Sequence, residues 1–292
     1  MRKFLQQLIM YFELYFLRMI VGTPARMYYG NEAGFRVNRE WKSISKNHIP
    51  ENSEAKQLAT EGFVTLGYPF EKALVQDIKN SFTQLIKNQE EDGLTLKKRE
   101  VKPALLQIPK IAELLNTDIL RIVNSYFPGY FEVSHVAAWR NYHLGKLGET
   151  RDYVSNLWHN DQSPVGTIKM FLFLSDGVTR TNGSTKVFRI EQSKRIMRSG
   201  FFQRHFIFGK ARKYVQNPKN VNYLEGDTGF SFIFNPQQSL HAAGLVESGR
   251  YRDVAVITIR PSDVPMDSDW AKKVIDNDLA YMNRVNPKQL MS

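Results

Sequence analysis

The chain has 292 residues, and its 40 lysines and arginines against 29 aspartates and glutamates give a formal net charge of +11. With 42% hydrophobic and 24% charged residues it has the composition of a globular protein, which excludes a disordered or collagen-like chain. The absence of cysteine excludes disulfides, thiolate metal ligands and a cysteine nucleophile, and it is compatible with a cytoplasmic location.

The excess of positive charge either forms an ordinary solvated basic surface or favours an anionic partner, such as nucleic acid, a small molecule or a membrane surface. The sequence has no zinc-finger spacing, no RNP-type aromatic motif and no long basic tail, so we do not expect nucleic acid as a partner. At roughly 150 residues per domain the length is compatible with two domains, but a single β-sandwich or barrel with helical additions also reaches this size.

The start of the chain is apolar. Residues 4–22 are interrupted by Gln6, Gln7, Glu13 and Arg18, so they contain no run of about 18 uncharged apolar residues that could span a bilayer. A helix this apolar is expected to dock on the protein or to contact a membrane peripherally. We favour these two possibilities over a cleaved signal peptide, because no clear small-residue cleavage site follows.

The part of the chain up to Gly129 is predicted to be mainly helical. Residues 1–60 are treated as an N-terminal extension, since they continue from the apolar helix into a polar stretch without strong periodicity. Apolar spacing, Gly and Pro then predict four elements, namely a strand within 62–70, a helix over 71–89, a basic connector at 94–102 and a helical stripe from Pro109 to Pro128.

After Gly129 the pattern becomes extended. Short apolar segments separated by turn-forming residues predict strands at 131–143, 167–176, 184–188, 229–235, 239–246 and 251–261. Helices followed by many short strands favour a helix-flanked β-sandwich or barrel over an alternating βαβ domain. We therefore predict a main domain over 61–262, with a C-terminal tail or helix at 263–292 packed on it.

Residues 189–213 are the densest basic and aromatic segment. Eight lysines and arginines surround a single acid, Glu191, and four phenylalanines are interspersed among them. The segment is either an anion-binding lid between two strands or a solvated loop or helix with its phenylalanines packed beneath. In the first case its arginines would contact an anionic substrate, and the candidates are Arg195, Arg198 and Arg204.

Three residues have the chemistry of a metal site. His159 and Asp161 are separated by one residue, and alternate residues at a strand end share a face, so both can converge on one ion. His241 lies at the edge of an apolar strand. Two imidazoles and one carboxylate form the facial triad of non-haem Fe(II) oxygenases. Arg252 begins an interior strand, where a buried guanidinium needs an anion such as the far carboxylate of a 2-oxo acid.

Taken together, these four residues resemble the signature of the iron- and 2-oxoglutarate-dependent oxygenases. The segment TIKMFLFLSDGVTRTNGSTKVF is similar to the phytanoyl-CoA dioxygenase-like superfamily, and the resemblance runs from about residue 60 to 262. It implies a mainly β fold with flanking helices and a double-stranded β-helix (jelly-roll, cupin-like) core. It also implies that His159, Asp161 and His241 bind Fe(II), that Arg252 binds 2-oxoglutarate, and that O2 is the second cosubstrate.

Further residues are candidates for this site. Arg250 competes with Arg252, although it lies in a predicted turn. Asn141, Asn160 and Lys169 are candidates for contacts with the cosubstrate, and a purely structural role is left open for each of them.

The chain departs from the family pattern in two places. The family's Pro-Gly-Ser-His sequence is replaced by residues 190–194, and Ala243 stands where relatives often carry a small hydroxyl residue that helps to hold the cosubstrate. The carboxylate of Asp161 is retained, which predicts hydroxylation or another oxidation, because related halogenases have a small residue there. The predicted substrate is a small molecule, a lipid or a sugar-linked compound with an anionic group.

Two other functions stay open. A non-catalytic β-sandwich module that binds anionic glycans or lipids would pair Arg252 with an internal acid such as Asp227. A cupin-type metal-dependent isomerase or epimerase would share the barrel without needing a 2-oxo acid. Cupins usually have extra His or Glu ligands close in sequence, and none lies within five residues of Asp161. The sequence predicts no oligomeric state.

Overall fold

The computed structural model describes residues 41, 44–90, 98–143, 156–161, 163–203, 206–207 and 209–285. The apolar segment 4–22 and Arg204 lie outside these ranges. Among the helices within the ranges, none has the length and apolarity that a bilayer crossing requires.

The first helix and strand have clear local causes. Helix α1, Ser53–Glu61, begins after Asn52, whose side chain accepts a hydrogen bond from an amide of the first turn. It ends at Gly62, which has a φ of +88° and so turns the chain directly into strand β1, Phe63–Gly67. Helix α2, Lys72–Glu90, follows as its apolar spacing predicts.

The basic connector predicted at 94–102 is wrong in part, because Lys98–Val101 forms strand β2. This strand pairs antiparallel with β3, Phe131–Tyr142. Arg99 and Val101 are buried, while Lys98 and Glu100 are half-buried. Since charged residues occupy both faces of this short strand, it lacks the apolar alternation by which a strand is recognised in sequence.

The helical stripe predicted from Pro109 to Pro128 is divided in the structure. It contains a 3-10 helix (Pro109–Leu114) and α4 (Thr117–Tyr126), and the short helix α3 (Ala104–Gln107) precedes it. The side chain of Asn116 accepts a hydrogen bond from the Ile119 amide at 3.0 Å and thereby starts α4. The apolar stripe continues across this break, which is why periodicity alone does not reveal it.

All six strands predicted after Gly129 are present. They are β3, β4 (Ile168–Phe173), β5 (Thr185–Val187), β9 (Ser231–Phe234), β10 (His241–Ala243) and β11 (Tyr251–Pro261). The other elements are α5 (Ile190–Arg198), β6 (Phe201–Gln203), β7 (Phe206–Ile207), α6 (Gly209–Gln216), a 3-10 turn (Pro218–Asn220), β8 (Asn222–Leu224) and α7 (Trp270–Val285).

The described strands form two antiparallel sheets and a small hairpin. The larger sheet has the order β1-β9-β4-β11-β3-β2, the smaller has β10-β5-β8, and β6 pairs with β7. Helices α2 and α4 cover one face of the larger sheet, and the smaller sheet lies against the other face. This is the mainly β, helix-flanked, double-stranded β-helix that the resemblance implies.

The larger sheet is buried on both faces. On β4, Met170 and Leu172 face the helices, while Phe171 and Phe173 face the smaller sheet. Each fully buried side chain of this size contributes roughly 1.5–3 kcal/mol to folding. The two sheets are therefore held firmly against each other, and the residues at their open end have a rigid support.

A buried ion pair joins β3 to β11. The guanidinium of Arg140 donates two hydrogen bonds to the carboxylate of Asp253, both 2.8 Å long. Both side chains are buried, and the guanidinium also stacks on the ring of Tyr251. Asp253 directly follows Arg252, so this pair fixes the start of the strand that carries the predicted cosubstrate ligand.

Replacing Asp253 with alanine is expected to lower the free energy of unfolding by about 3–5 kcal/mol, because it leaves a buried guanidinium without its anion. Urea denaturation measures this loss. Asp118→Ala is a suitable control, since it removes an exposed partner of Arg121 and should have a far smaller effect. Similar losses in the two variants would contradict the importance of the buried pair.

Candidate metal centre

Backbone pairing places two distant histidines side by side. His159 and His241 exchange both backbone hydrogen bonds, with N–O distances of 2.9 and 2.8 Å. Their ring centroids lie 4.3 Å apart. Since β10 is itself paired with β5 of the smaller sheet, the loop that carries His159 is held at the edge of this sheet.

Asp161 completes the cluster. Its Oδ1 atom lies 3.6 Å from Nε2 of His159 and 3.7 Å from Nε2 of His241. The backbone amide of Asp161 donates a 2.7 Å hydrogen bond to the carbonyl of Pro236, which fixes the chain there. These spacings are within the roughly 4 Å that two metal–ligand bonds of about 2.1 Å can span. The three residues predicted as ligands are thus brought together, and they can hold a metal ion.

A hydrogen bond at Nδ1 of each histidine fixes the tautomer of its ring. Nδ1 of His159 donates to the carbonyl of Leu157 at 2.6 Å, and Nδ1 of His241 donates to the carbonyl of Ser239 at 3.0 Å. A carbonyl only accepts hydrogen bonds, so each Nδ1 carries the proton and each Nε2 presents its lone pair. Metal-ligating histidines are oriented in this manner.

Burial and neighbouring charges fix the protonation states. Burial and the nearby His159 lower the pKa of His241 to about 3, so its imidazole is neutral at neutral pH. Burial, the largest single influence, would raise the pKa of Asp161, but the adjacent Lys169 ammonium and the two neighbouring histidines together outweigh it and hold that pKa well below its usual range. At neutral pH the cluster therefore offers an imidazole nitrogen and a carboxylate oxygen without first losing a proton from either residue.

This shift makes the metal-free protein sensitive to acid. Between about 3 and the ordinary value of 6.5, an unfolded His241 binds a proton that the folded residue does not. Stability is therefore expected to fall as the pH drops through this window, by up to about 1.4 kcal/mol per pH unit from this one group. Urea denaturation at several pH values should show that the free energy of unfolding of His241→Asn depends less steeply on pH than that of wild type. An unchanged dependence on pH would contradict the lowered pKa of His241.

The cluster lies in the wall of a cavity of about 150 Å³ between the two sheets. The cavity is lined by Lys98, Trp139, Asn141, His159, Asp161, Lys169, Phe171, Thr185, Phe234, His241, Ala243 and Arg252. Of the further candidates, Asn141 and Lys169 belong to this lining. Asn160 instead donates a 3.1 Å hydrogen bond to the carbonyl of Gln237, and its own carbonyl oxygen is buried without a partner among the described residues.

The structure distinguishes between the two candidate arginines. Arg252 is 3% exposed, and its Nη1 donates a 2.5 Å hydrogen bond to the carbonyl of Gly183. Arg250 is exposed in the turn before β11 and lies 3.5 Å from Glu247. Asp227, the proposed partner in a binding module, is itself exposed and accepts a hydrogen bond from the Gly177 amide. Arg252 is therefore the arginine that lines the cavity.

The basic segment 189–213 contributes α5, the paired strands β6 and β7 and the start of α6, and none of its described residues lines the cavity. Arg195 and Arg198 are exposed on α5, and Arg195 reaches the hydroxyl of Tyr214 at 3.5 Å. Beneath them Phe201 packs with Ile196 in a separate apolar cluster.

The structure adds cavity residues that the sequence did not single out. Lys98 lies over the ring of Trp139, with its ammonium 4.2 Å from the ring centroid, and burial lowers its pKa. Thr185 is the cross-strand partner of Ala243 and places a hydroxyl side chain in the lining beside it. The sequence does not predict Lys98 as a cavity residue, because strand β2 lacks apolar alternation. Thr185 could be predicted, because it is a polar residue on the inner face of β5.

No model of a known protein family matches the sequence, and no curated protein matches it. Among solved structures, HygX from Streptomyces hygroscopicus with nickel and 2-oxoglutarate bound is similar at a TM-score of 0.52 and 14% identity, covering 73% of this chain and 88% of HygX. SnoK, a non-haem α-ketoglutarate-dependent carbocyclase from nogalamycin biosynthesis, is similar at a TM-score of 0.54 and 15% identity, covering 77% of this chain and 90% of SnoK. EctD from S. alaskensis in its apoform is similar at a TM-score of 0.52 and 13% identity, covering 74% of this chain and 79% of EctD. The chain shares its fold with these proteins.

Proposed function

We propose that this protein is an Fe(II)- and 2-oxoglutarate-dependent oxygenase of the phytanoyl-CoA dioxygenase-like superfamily. The observation that carries the proposal is the convergence of two imidazole Nε2 atoms and one carboxylate oxygen at a cavity between the sheets. Two nitrogens and one oxygen on one side of an ion leave the remaining positions open, as in non-haem Fe(II) oxygenases. The fold shared with SnoK, which is named as α-ketoglutarate-dependent, supports the same conclusion.

The donor set fits Fe(II), and His159, Asp161 and His241 would hold it. The Nδ1 hydrogen bonds to Leu157 and Ser239 keep both imidazoles turned towards the ion. When bound by these residues, Fe(II) would supply the redox chemistry that couples the oxidation of 2-oxoglutarate by O2, to succinate and CO2, to the insertion of the other oxygen atom into the substrate.

Arg252 provides the site for the cosubstrate. Its buried guanidinium is oriented by the Gly183 carbonyl and lines the same cavity as the three ligands. A planar guanidinium binds a carboxylate through two parallel hydrogen bonds, which is the arrangement suited to the far carboxylate of 2-oxoglutarate. Thr185 offers a hydroxyl beside Ala243, the position at which relatives often carry a small hydroxyl residue and this chain does not.

The substrate is proposed to be a small molecule, a lipid or a sugar-linked compound with an anionic group, and the reaction a hydroxylation. The support is the net charge of +11 and the exposed basic side chains of α5. In this proposal Arg195, Arg198 and Arg204 bind the anionic group of the substrate. Residues 4–22 make peripheral contact with a membrane on its cytoplasmic side. Replacing the three arginines together should weaken substrate binding, and unchanged binding would remove this part of the proposal.

Formation of succinate tests the oxygenase function without knowledge of the substrate. The protein reconstituted with Fe(II) is expected to convert 2-oxoglutarate slowly to succinate in the presence of O2, and Asp161→Ala should abolish this conversion. Asp227→Ala removes an exposed acid outside the cavity and serves as the control. A binding module would form no succinate, and a cupin-type isomerase would bind metal without consuming 2-oxoglutarate. Either result would contradict the proposal.

A further inference from the structure

The two carboxylate oxygens of Asp161 have different partners. Oδ1 faces the two histidine Nε2 atoms at 3.6 and 3.7 Å. Oδ2 accepts a hydrogen bond from the ammonium of Lys169 at 2.5 Å. One oxygen therefore faces the metal site while the other is held by a cation.

We propose that Lys169 is a positioning residue that restricts Asp161 to binding the metal through Oδ1 alone. The inference rests on the proposed function, since it takes His159, Asp161 and His241 as the metal ligands. A carboxylate can bind a metal through one oxygen or through both. A charge-assisted hydrogen bond of this length holds Oδ2 firmly, and so keeps it from becoming a second ligand atom.

The restriction matters for the number of open positions at the metal. An octahedral ion held by three protein atoms would have three positions free, whereas one held by an aspartate through both oxygens would have two. A keto acid that takes two positions would then leave room for O2 in the first case and not in the second. Holding Oδ2 therefore keeps the site able to accept both cosubstrates.

The placement of Lys169 on β4 supports this role. The strand reads IKMFLF, and Lys169 is its only charged residue. Lys169 lines the cavity together with Phe171, two residues on, as the alternation of side chains in a strand requires. A charged side chain in such a strand needs a partner of opposite charge. Asp161 is that partner. The Lys169 ammonium therefore lies against a metal ligand, although its positive charge would repel the metal ion.

Lys98 provides a matched control within the same cavity. It carries the same charge, but its ammonium lies 3.5 Å from Glu100 and over the ring of Trp139. If Lys169 acted only through its charge, removing either lysine would reduce repulsion and tighten metal binding. If Lys169 holds Oδ2 away from the metal, its removal lets Asp161 bind through both oxygens and so changes the ligand set, while removal of Lys98 does not. The two explanations thus differ in whether the visible spectrum of the bound metal changes.

The test is an anaerobic titration of the metal-free protein with Co(II), followed by calorimetry and by the visible d–d spectrum. Lys169→Met is expected to bind Co(II) at least as tightly as wild type, because a second carboxylate oxygen becomes available and a repelling cation is lost, and to shift the visible spectrum because the ligand set changes. Lys169→Arg keeps the charged donor and should retain the wild-type spectrum. Lys98→Met should bind Co(II) as tightly as wild type or more tightly, with an unchanged spectrum.

Two outcomes would overturn the inference. The first is a Lys169→Met protein that binds Co(II) with an unchanged spectrum. The second is a spectral change that is equal in Lys98→Met. Near-ultraviolet circular dichroism identifies a variant that fails to fold, and in that case Lys169→Gln takes the place of Lys169→Met. A wild-type protein that binds no Co(II) would instead contradict the proposed function itself.

Discussion

Replacing His241 with alanine is expected to lower the affinity for Fe(II) by more than about 100-fold and to abolish 2-oxoglutarate turnover. Loss of a residue that only hydrogen-bonds to a metal ligand already lowers metal affinity by about 10- to 100-fold. Loss of a ligand also removes a bond to the metal, so its effect should be larger. The side chain is buried beside His159 and Asp161, so no other imidazole of the cluster can replace it. Anaerobic competition with a coloured Fe(II) chelator measures the affinity.

The control for this prediction is a histidine of the same domain with another environment. His135 on β3 is exposed and lies 3.3 Å from Asp278 of α7, outside the lining of the cavity. His135→Ala should therefore leave Fe(II) binding unchanged. An affinity of His241→Ala within a few-fold of wild type would contradict the assignment of the ligands.

Replacing Arg252 with methionine is expected to raise the KM for 2-oxoglutarate. Removing one partner of a buried, hydrogen-bonded charge pair costs about 2–5 kcal/mol, or roughly a 30- to 4,000-fold change in affinity. Arg252 is 3% exposed and its guanidinium is already oriented by the Gly183 carbonyl, so water should weaken its interaction with the cosubstrate only slightly. Formation of succinate at increasing 2-oxoglutarate concentrations measures the KM.

Arg250 supplies the matched comparison, because it is two residues away and exposed in a turn. Arg250→Met should leave the KM for 2-oxoglutarate near the wild-type value. Equal effects of the two substitutions would mean that the cosubstrate is held by general positive charge and not by the buried guanidinium of Arg252.

The strands of the second half of the chain could be predicted because their local pattern matches their environment. Segments such as MFLF at 170–173 are buried on both faces and have continuous apolar sequences. The strand Lys98–Val101 is at the edge of the larger sheet, and its charged side chains obscure the pattern. The break at Asn116 depends on one capping hydrogen bond, to which apolar periodicity is insensitive.

The candidate ligands could be predicted because their chemistry is specific, whereas their surroundings depend on strand register. His159, Asp161 and His241 combine residue types that suit one ion in a recognisable order. The pairing of Thr185 with Ala243, and of Arg140 with Asp253, follows from which residues face each other across strands. Because register is set by the whole sheet, local sequence does not reveal these partners.

The central claim is that His159, Asp161 and His241 hold Fe(II) next to a bound 2-oxoglutarate. Anaerobic addition of Fe(II) and 2-oxoglutarate to the wild-type protein tests it directly, because a keto acid bound to Fe(II) gives a weak visible charge-transfer band. We expect this band in the wild-type protein and its loss in His159→Ala and in Asp161→Ala. A wild-type protein without the band, or variants that retain it, would contradict the claim.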